Sequence, residues 1–222
     1  MIKDITIIFV SYYSEKKIKN YLRQFKNKFK VIIVENSKNL ELLKLKKKYK
    51  NVSVIINKKN QGFGSGSNMG LKRVKTKYGM HLDLDTKISN QSIIKLIKEA
   101  NRIRHFAILG PKIKNHKYQQ QDYNVKNFEK KLNSMNFIDG CCLLFDMKTL
   151  KKVGYFDPKF FLYFEEFDLI KRCIDQNYKV LMTEKVMLSH IGRSSTSSKY
   201  NDKIEINRNW HYLWSKFYFT KN

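Results

Sequence analysis

The sequence lacks a long hydrophobic run. Its longest apolar stretch, residues 5–13, is interrupted by Thr6 and Ser11 and falls well short of the roughly 20 residues that a membrane-spanning helix needs. The N-terminus also lacks a basic segment followed by an apolar core and a small-residue cleavage site, so no secretory signal is predicted. We therefore expect a cytoplasmic protein without a transmembrane segment.

Cysteine is also rare. The three cysteines, Cys141, Cys142 and Cys173, are an odd number, two of them are adjacent, and their spacing is not that of a metal site. This pattern argues against a disulfide framework and predicts buried free thiols, in agreement with a cytoplasmic location.

Arginine is scarce among the basic residues. Lysine and arginine number 45 against 19 acidic residues, which gives a formal net charge of +26, but only seven of the 45 are arginine. Recognition of bases and phosphates relies on the bidentate arginine fork, so this composition argues against nucleic acid as a partner. Two interpretations of the lysine excess remain. It forms a solvated surface, or it attracts the protein to the anionic inner face of a membrane as a peripheral protein.

The chain nevertheless contains enough apolar residues for a sizeable core. Its 222 residues are 42% hydrophobic and 14% aromatic, which indicates one large folded domain or two small ones. Short apolar runs at residues 4–11, 30–34 and 52–56 are typical of strands buried on both faces. Residues 15–25 and 40–49, between these runs, have apolar residues at helical spacing. This alternation predicts an α/β fold with a parallel sheet and right-handed crossovers.

Two carboxylates separated by one residue follow the next apolar run. On a strict strand Asp83 and Asp85 would share a face, and at a strand end one or both can bind a hard divalent cation. In parallel sheets, ligands bind beyond the carboxyl ends of the strands. The competing interpretation is a polar loop, in which Asp85 and Thr86 start a turn or cap the following helix.

A glycine-rich stretch, NQGFGSGSN at residues 60–68, follows the third predicted strand. Glycine lets the backbone approach a ligand closely, and a predicted helix at residues 67–74 could direct its amide end at a phosphate. The stretch is neither a dinucleotide fingerprint, which would follow the first strand, nor a P-loop. A purely structural turn is the alternative.

An acid-rich stretch, FEEFD at residues 164–168, begins a predicted helix that runs to about Gln176. Carboxylates in a first helical turn are favoured by the helix dipole, so a structural role is one interpretation, with Asp168 and Arg172 paired four residues apart. A general base is the other, because a positioned carboxylate can accept the proton of a reacting hydroxyl.

The last part of the chain holds two further features. Residues 114–134 are polar and without clear periodicity, and we expect a mobile loop or lid there. Residues 204–219 predict a basic amphipathic helix that lies on a membrane surface or packs on the domain. Its apolar stripe consists of Ile206, Trp210, Leu213, Trp214 and Phe217.

These stretches form an ordered set that resembles the inverting family 2 glycosyltransferases with a GT-A fold, and within them the rhamnosyltransferase-like members. The motifs that carry the resemblance are IFVSY (8–12), VENS (34–37), NQGFG (60–64), NMG (68–70), LDLDT (82–86), DGCCLL (139–144), VGYFD (153–157), FFLYFEEFDL (160–169), HIGRS (190–194) and RN (208–209). They span nearly the whole chain in order, which makes the set far more specific than any one member.

The resemblance implies a mostly parallel central sheet with helices on both faces in a single domain, residues 1–222. Residues 1–112 would form the nucleotide-sugar-binding half, residues 113–200 the acceptor and catalytic half, and residues 201–222 a C-terminal amphipathic helix. The implied activity is transfer of a sugar from a nucleoside-diphosphate donor, such as dTDP-rhamnose or a UDP-sugar, to a glycan or lipid-linked acceptor in surface polysaccharide synthesis. The alternative is a non-catalytic α/β protein that binds a nucleotide or nucleic acid.

The resemblance also assigns roles to residues. Glu166 would be the catalytic base, with Glu165 as the nearest substitute, although the family more often has aspartate at position 166. Mn²⁺ or Mg²⁺ would be held by Asp85 as the direct ligand, with Asp83 and His190. The residues that would bind the donor and its sugar are Ser11, Glu35, Asn60, Gly62, Gly64, Asn68, Asp83, Asp139 and Gly140.

Overall fold

The computed structural model describes residues 1–114, 132–134, 138–192 and 201–221. For residues 132–134 and 201–205 it describes the backbone alone. Most of the predicted loop at residues 114–134 lies outside the described residues, as do Arg193 and Ser194 of the HIGRS motif.

Strands and helices alternate along the first half of the chain, as predicted. The strands are β1 (Ile5–Ser11), β2 (Lys30–Glu35), β3 (Val52–Ile56), β4 (Tyr78–Leu82), β5 (Thr86–Lys87), β6 (Phe106–Ile113), β7 (Leu132–Ser134), β8 (Cys142–Asp146) and β9 (Lys179–His190). The helices are α1 (Glu15–Phe25), α2 (Lys44–Lys48), α3 (Gly62–Leu71), α4 (Asn90–Arg102), α5 (Met147–Val153), α6 (Glu165–Asp175) and α7 (Asn201–Lys221), and a 3₁₀ turn (Leu40–Leu43) precedes α2.

The strands of the described residues form one sheet in the order β3-β2-β1-β4-β8-β6-β9-β5, with β7 paired to β9. The four strands β3, β2, β1 and β4 are parallel, so their carboxyl ends meet at one edge. Beyond β4 the sheet is mixed, because β8 runs antiparallel to β4 and β6, and β5 runs antiparallel to β9. This edge of the parallel half is where a ligand is expected.

Helices cover both faces of the sheet, as predicted. On one face, side chains of α1, α2 and α4 pack with β1, β2 and β4 in a core that contains Ile18, Phe25, Leu45, Ile93 and Leu96. On the other face, side chains of α3, α5 and α6 form a second core with Leu71, Leu150, Leu169 and Ile170. The strands between the two cores are therefore shielded from water on both sides.

Helix α3 begins earlier than the sequence predicted. The prediction was a helix at residues 67–74, but α3 already begins at Gly62, so the glycine-rich stretch is itself helical. The glycines allow this helix to lie close to the sheet, since a Cβ atom at Gly70 would lie 2.5 Å from Cγ2 of Ile8. The helix therefore packs its backbone directly against β1.

The predicted state of the cysteines is confirmed, because Cys141, Cys142 and Cys173 are all buried free thiols. Burial raises the pKa of Cys173 to about 12. Within the described ranges, no helix combines the length and the apolar character needed to cross a membrane.

Candidate active site

The carboxyl ends of the parallel strands open into a cleft of about 680 Å³. Side chains from β1, β2, the start of α3, the Asp83–Asp85 turn, the end of β9 and α7 meet there. The lining residues are Val10, Tyr12, Ser14, Asn36, Asn60, Gly62, Phe63, Asp83, Asp85, Phe161, Leu162, Tyr163, His190, Gly192, Asn207, Arg208 and His211.

The two carboxylates of the DLD sequence lie beside His190, which is the last residue of β9. His190 Nε2 is 3.3 Å from Asp85 Oδ1 and 3.9 Å from Asp83 Oδ2. The pairing of Thr86 with His190 in the β5–β9 ladder produces this proximity. Burial lowers the pKa of His190, but the hydrogen bond that its ring donates to Asp85 and the charges of Asp139, Asp85 and Asp83 outweigh it, so the pKa is raised.

These three side chains fit a divalent cation. One ligand atom from each of Asp83, Asp85 and His190 lies within 4.8 Å of the other two. Two carboxylate oxygens and one imidazole nitrogen are donors that suit Mn²⁺ or Mg²⁺. The side chain of Asp85 is only 2% exposed and that of Asp83 is 29% exposed, so Asp85 forms the inner wall and Asp83 faces the cleft.

A second group, Asp139, Cys141 and His190, also places its ligand atoms within 4.8 Å of one another. Burial, followed by the charge of Asp139, raises the pKa of the Cys141 thiol well above its ordinary value. A neutral thiol is a poor metal ligand, so this group is the weaker candidate. Asp139 Oδ1 instead lies 3.8 Å from Nδ1 of His190, on the far side of the ring from Asp85. This position can orient the imidazole.

A buried chain of polar groups also holds Asp83. His81, 1% exposed, contacts Asp83 Oδ1 through Nε2 at 3.0 Å, and its Nδ1 lies 3.1 Å from Ser67 Oγ in α3. Phe63 covers the ring edge-on, with centroids 4.4 Å apart. His81 thus fixes the carboxylate of Asp83 with Oδ2 towards His190. The sequence analysis gave His81 no role, because its partner Ser67 is 14 residues away.

Six of the nine predicted donor-binding residues do not line the cleft. Asp139 and Gly140 are two of them, and the other four lie behind the lining. Ser11 and Glu35 are side by side in the β1–β2 ladder and buried, and Glu35 Oε1 accepts hydrogen bonds from the backbone N–H and hydroxyl of Ser37. Asn68 Nδ2 donates to the carbonyl of Phe156 at 2.7 Å, and Asn68 Oδ1 accepts the backbone N–H of Phe156 at 3.0 Å. Gly64 faces Phe156 and Glu165. The neighbours Tyr12 and Asn36, which the sequence analysis did not assign to the site, line the cleft instead.

Asn60 and Gly62 do line the cleft, at the start of α3. Asn60 Oδ1 accepts the N–H of Gly62 at 2.9 Å, and Asn36 Nδ2 donates to the carbonyl of Gly62 at 3.0 Å. Gly62 has φ of +77°, and the next N–H, from Phe63, donates to the carbonyl of Phe161 at 2.9 Å. The start of α3 is therefore tied to the segment that precedes α6.

Substitution of Gly62 by alanine is expected to cost both stability and donor affinity. A Cβ atom there would lie 2.0 Å from the carbonyl oxygen of Phe161, in a left-handed conformation that costs a non-glycine residue about 1–2 kcal/mol. The overlap should add about 1–3 kcal/mol. Urea unfolding and nucleotide calorimetry measure the two effects.

Gly192→Ala is the matched control, because Gly192 also lines the cleft with φ of +68° but a Cβ atom there meets no described atom within 4 Å. It should show the conformational cost alone. Equal losses in the two variants would mean that the contact with Phe161 is unimportant.

Glu165 and Glu166 begin α6 but face different surroundings. Glu165 is buried, with its Cβ 3.4 Å from the position of a Cβ on Gly64. Burial, then the charge of Glu166, raises its pKa well above the ordinary value. Glu166 Oε1 lies 3.6 Å from the position of a Cβ on Gly140. Burial raises the pKa of Glu166 to about 7, and the charges of Asp139 and Asp83 add to this.

Glu166 and the metal-ligand group meet at Asp139 and Gly140. Asp139 Oδ1 lies 3.8 Å from Nδ1 of His190, and a Cβ atom on Gly140 would lie 3.6 Å from Glu166 Oε1, so this dipeptide is near both sets of carboxylates. Glu166 Oε2 is shielded from solvent and has no hydrogen-bond partner among the described residues. Glu166 itself is not part of the cleft lining and lies beside it.

The family model named Glycosyl transferase family 2 matches residues 6–154. The low-salt glycan biosynthesis hexosyltransferase Agl10 of Haloferax volcanii is 22% identical over 245 residues, which cover 100% of this chain and 78% of that protein.

Solved structures share the fold. The mannosyltransferase PcManGT from Pyrobaculum calidifontis, in complex with GDP-Man and Mn²⁺, matches 99% of this chain and 64% of its own with a TM-score of 0.73 at 10% identity. GalNAc-T7 with UDP, GalNAc and Mn²⁺ matches 88% of this chain and 46% of its own, with a TM-score of 0.67 at 13% identity. S. aureus TarS 1-349 in complex with UDP-GlcNAc matches 84% and 58%, with a TM-score of 0.62 at 16% identity.

The chain thus spans less than two thirds of the length of these solved structures. At such low identity they establish the fold alone, and they confirm the predicted GT-A architecture.

Proposed function

Because the chain belongs to glycosyl transferase family 2, we propose that it is an inverting, metal-dependent transferase that moves a hexosyl or rhamnosyl group from a nucleoside-diphosphate sugar to a glycan or lipid-linked acceptor. The observation that carries this proposal is the position of Asp139 and Gly140, which lie near both of two sets of carboxylates. One set, with His190, suits a cation, and the other offers a base with a raised pKa.

The donor would lie along the cleft from the strand ends to α7. Its nucleoside would rest on Tyr12 and Asn36 above the buried pair Ser11 and Glu35, with Asn60 beside it. Its diphosphate would lie at Asp83, Asp85 and His190, with Arg208 on the opposite wall. A divalent cation at that point would neutralise the charge that accumulates on the leaving diphosphate.

Glu166 would then receive the acceptor's proton. In an inverting transfer the acceptor hydroxyl attacks the anomeric carbon from the side opposite the leaving diphosphate, and a carboxylate takes the hydroxyl proton as the new bond forms. Glu166 lies on the Gly140 side of the cation ligands. Glu166 is half-buried with Oε2 shielded from solvent, and this partial burial leaves its proton affinity high enough to act near neutral pH.

A donor screen tests this function. Nucleoside diphosphates and their sugars should raise the melting temperature only when Mn²⁺ or Mg²⁺ is present, and one sugar donor should be hydrolysed or transferred. By mass action, a donor at 100 times its dissociation constant stabilises the fold by about 2.7 kcal/mol. Stabilisation by nucleotides without turnover of any sugar donor would favour a non-catalytic nucleotide-binding protein.

We further propose that the acceptor reaches the cleft at an anionic membrane surface, in surface polysaccharide synthesis. The formal charge of +26 supports attraction to anionic lipid. A lipid-linked acceptor would be confined to that surface, so an enzyme held there would meet it at high local concentration.

A further inference from the structure

Helix α7 has three faces with different surroundings. Asn207, Arg208 and His211 lie on the wall of the cleft. Tyr212, Ser215 and Phe219 contact the segment before α6. The third face is exposed and apolar, with Ile206 at 74%, Trp210 at 59%, Leu213 at 65%, Trp214 at 42% and Phe217 at 51% exposure. We call this third face the outer stripe.

The outer stripe is the predicted apolar stripe of the tail, and the structure turns it away from the domain. A simple amphipathic helix would pack its apolar side and expose its polar side, but α7 packs one aromatic face and exposes another. Two tryptophans next to each other, Trp210 and Trp214 with centroids 6.1 Å apart, are typical of a membrane–water interface. An exposed apolar face of this size marks an interaction surface.

The charge around the outer stripe selects its partner. Helix α7 has four basic residues, Lys203, Arg208, Lys216 and Lys221, against two acidic ones, Asp202 and Glu205, which both precede the outer stripe in the sequence. Arg208 lies on the cleft wall, so Lys216 and Lys221 are the basic residues close to the C-terminal part of the outer stripe in the sequence. Lys221 lies over the ring of Phe217 at 4.5 Å, so a cation is held at the stripe itself. Apolar side chains flanked by lysine suit an anionic bilayer, where the rings enter the headgroup region and the ammonium groups meet lipid phosphates.

The packed face of α7 connects the outer stripe to the catalytic segment. His211 stacks on Phe161 with centroids 4.1 Å apart, and the Phe161 carbonyl accepts the N–H of Phe63 at the start of α3. Ser215 Oγ donates to the carbonyl of Leu162 at 2.8 Å. The helix therefore holds the residues that lead to Glu165 and Glu166.

The segment immediately before α6 is strained and needs the support of α7. Tyr163 and Phe164 are consecutive non-glycine residues with φ of +70° and +66°. Conformations of this kind persist only where surrounding contacts over-determine them. The ring of Tyr212 packs on both residues, with centroids 5.7 Å apart in each case. Any force that steadies α7 also steadies the two residues immediately before α6.

We propose that the outer stripe of α7 docks on an anionic bilayer and that docking tightens the donor cleft, because the same helix carries Arg208 and His211 and supports the strained segment. The effect on the cleft rests on the proposed function, whereas docking itself is independent of it. Removal of α7 would also remove cleft residues, so substitutions in the outer stripe are the appropriate test.

The test uses the full chain and a double variant, Leu213→Ser with Phe217→Ser. Its control is Leu40→Ser with Leu43→Ser, which removes two exposed leucines, 64% and 39% exposed, from the 3₁₀ turn before α2. Co-sedimentation is measured with vesicles of phosphatidylcholine and phosphatidylglycerol at 7:3 and with phosphatidylcholine alone, without donor. UDP affinity with Mn²⁺ is measured with and without the anionic vesicles.

We expect the wild type and the control to bind anionic vesicles and the 213/217 variant to bind them about tenfold or more weakly, since two interfacial apolar side chains are lost. We also expect vesicles to raise UDP affinity several-fold in the wild type and in the control, but not in the 213/217 variant. Unchanged vesicle binding in the 213/217 variant would overturn the docking proposal. Dimerisation of the wild type that is lost in this variant would also overturn it, because the outer stripe would then bind a second copy of the chain. Vesicle binding without any change in UDP affinity would overturn the effect on the cleft. Vesicle binding by a protein that turns over no sugar donor would instead count against the proposed function alone.

Discussion

Replacement of Glu166 by glutamine is expected to lower sugar transfer by about 10²- to 10⁴-fold, the usual contribution of a positioned general base. Glutamine keeps the size of the side chain but cannot accept the acceptor's proton. Donor affinity should hardly change, because Glu166 lies beside the cleft on the Gly140 side and is not part of its lining. Loss of kcat with donor binding retained is the signature of an interaction made only in the transition state. Steady-state kinetics and nucleotide calorimetry measure the two quantities.

The pH dependence of kcat/KM gives an independent readout for the same residue. The base must be ionised, and burial raises the pKa of Glu166 to about 7, so its ionised fraction rises as the pH rises through that value. Activity should therefore fall about tenfold per pH unit on the acid side of the midpoint. A cation at Asp83 removes part of the repulsion on Glu166, so we expect the midpoint at or below 7. Glu166→Gln should lack this acid limb.

Glu165→Gln is the matched control, because it makes the same change one residue earlier in the same helical turn. Burial, followed by the charge of Glu166, raises the pKa of Glu165 well above its ordinary value, which favours the uncharged acid. Glutamine is also uncharged and has nearly the same size, so this change should alter the rate little. A larger loss from Glu165→Gln would reverse the two roles. Losses below tenfold in both variants would mean that the two carboxylates only stabilise the start of the helix.

Much of the fold was predictable from local sequence. Strands buried on both faces are continuous apolar runs, and helices covering a sheet repeat their apolar residues at helical spacing, so β1, α1, β2 and β3 were located nearly to the residue. The family and the GT-A architecture were also predicted correctly from the ordered motifs.

The strand pairing in the mixed half of the sheet could not be predicted from local sequence. Apolar runs do not specify their partners, and the antiparallel pairing of β8 with β4 depends on contacts between residues 60 or more positions apart, such as Leu82 with Cys142. The start of α3 was misplaced for a related reason. Glycine has a low helix propensity, and its use here is set by the close approach of α3 to Ile8, which local sequence does not contain.

The candidate site was predicted unevenly. The resemblance implied that Asp83, Asp85 and His190 lie together, and the structure places a ligand atom of each within 4.8 Å of the others. Ser11, Glu35, Gly64 and Asn68 lie beneath the cleft, because a motif identifies a stretch of chain and not which of its side chains faces the ligand. Asn207 and His211 were missed, since α7 has apolar residues on two faces and its pattern did not distinguish the cleft side.

Asp85→Asn is expected to abolish Mn²⁺-dependent binding of nucleoside diphosphates, with an affinity loss above about 100-fold. Loss of a residue that merely orients a metal ligand typically costs 10–100-fold, and a direct ligand should cost more. Asparagine keeps the shape of this buried side chain, so the fold should be retained, as an unchanged melting temperature without Mn²⁺ would show. Calorimetry with UDP or GDP, with and without Mn²⁺, measures the loss.

Asp175→Asn controls for the lost charge, since Asp175 is an exposed carboxylate at the end of α6 that pairs with Lys171. It should leave the Mn²⁺ dependence unchanged. Cys141→Ser separates the two candidate ligand groups that share His190. If Asp85 holds the ion, Cys141→Ser keeps nearly full Mn²⁺ affinity, because Cys141 belongs only to the other ligand group and Mn²⁺ prefers oxygen ligands to sulfur. If Asp85→Asn retains Mn²⁺-dependent binding and Cys141→Ser loses it, the ion is held by Asp139, Cys141 and His190, and the assignment of Asp85 is wrong.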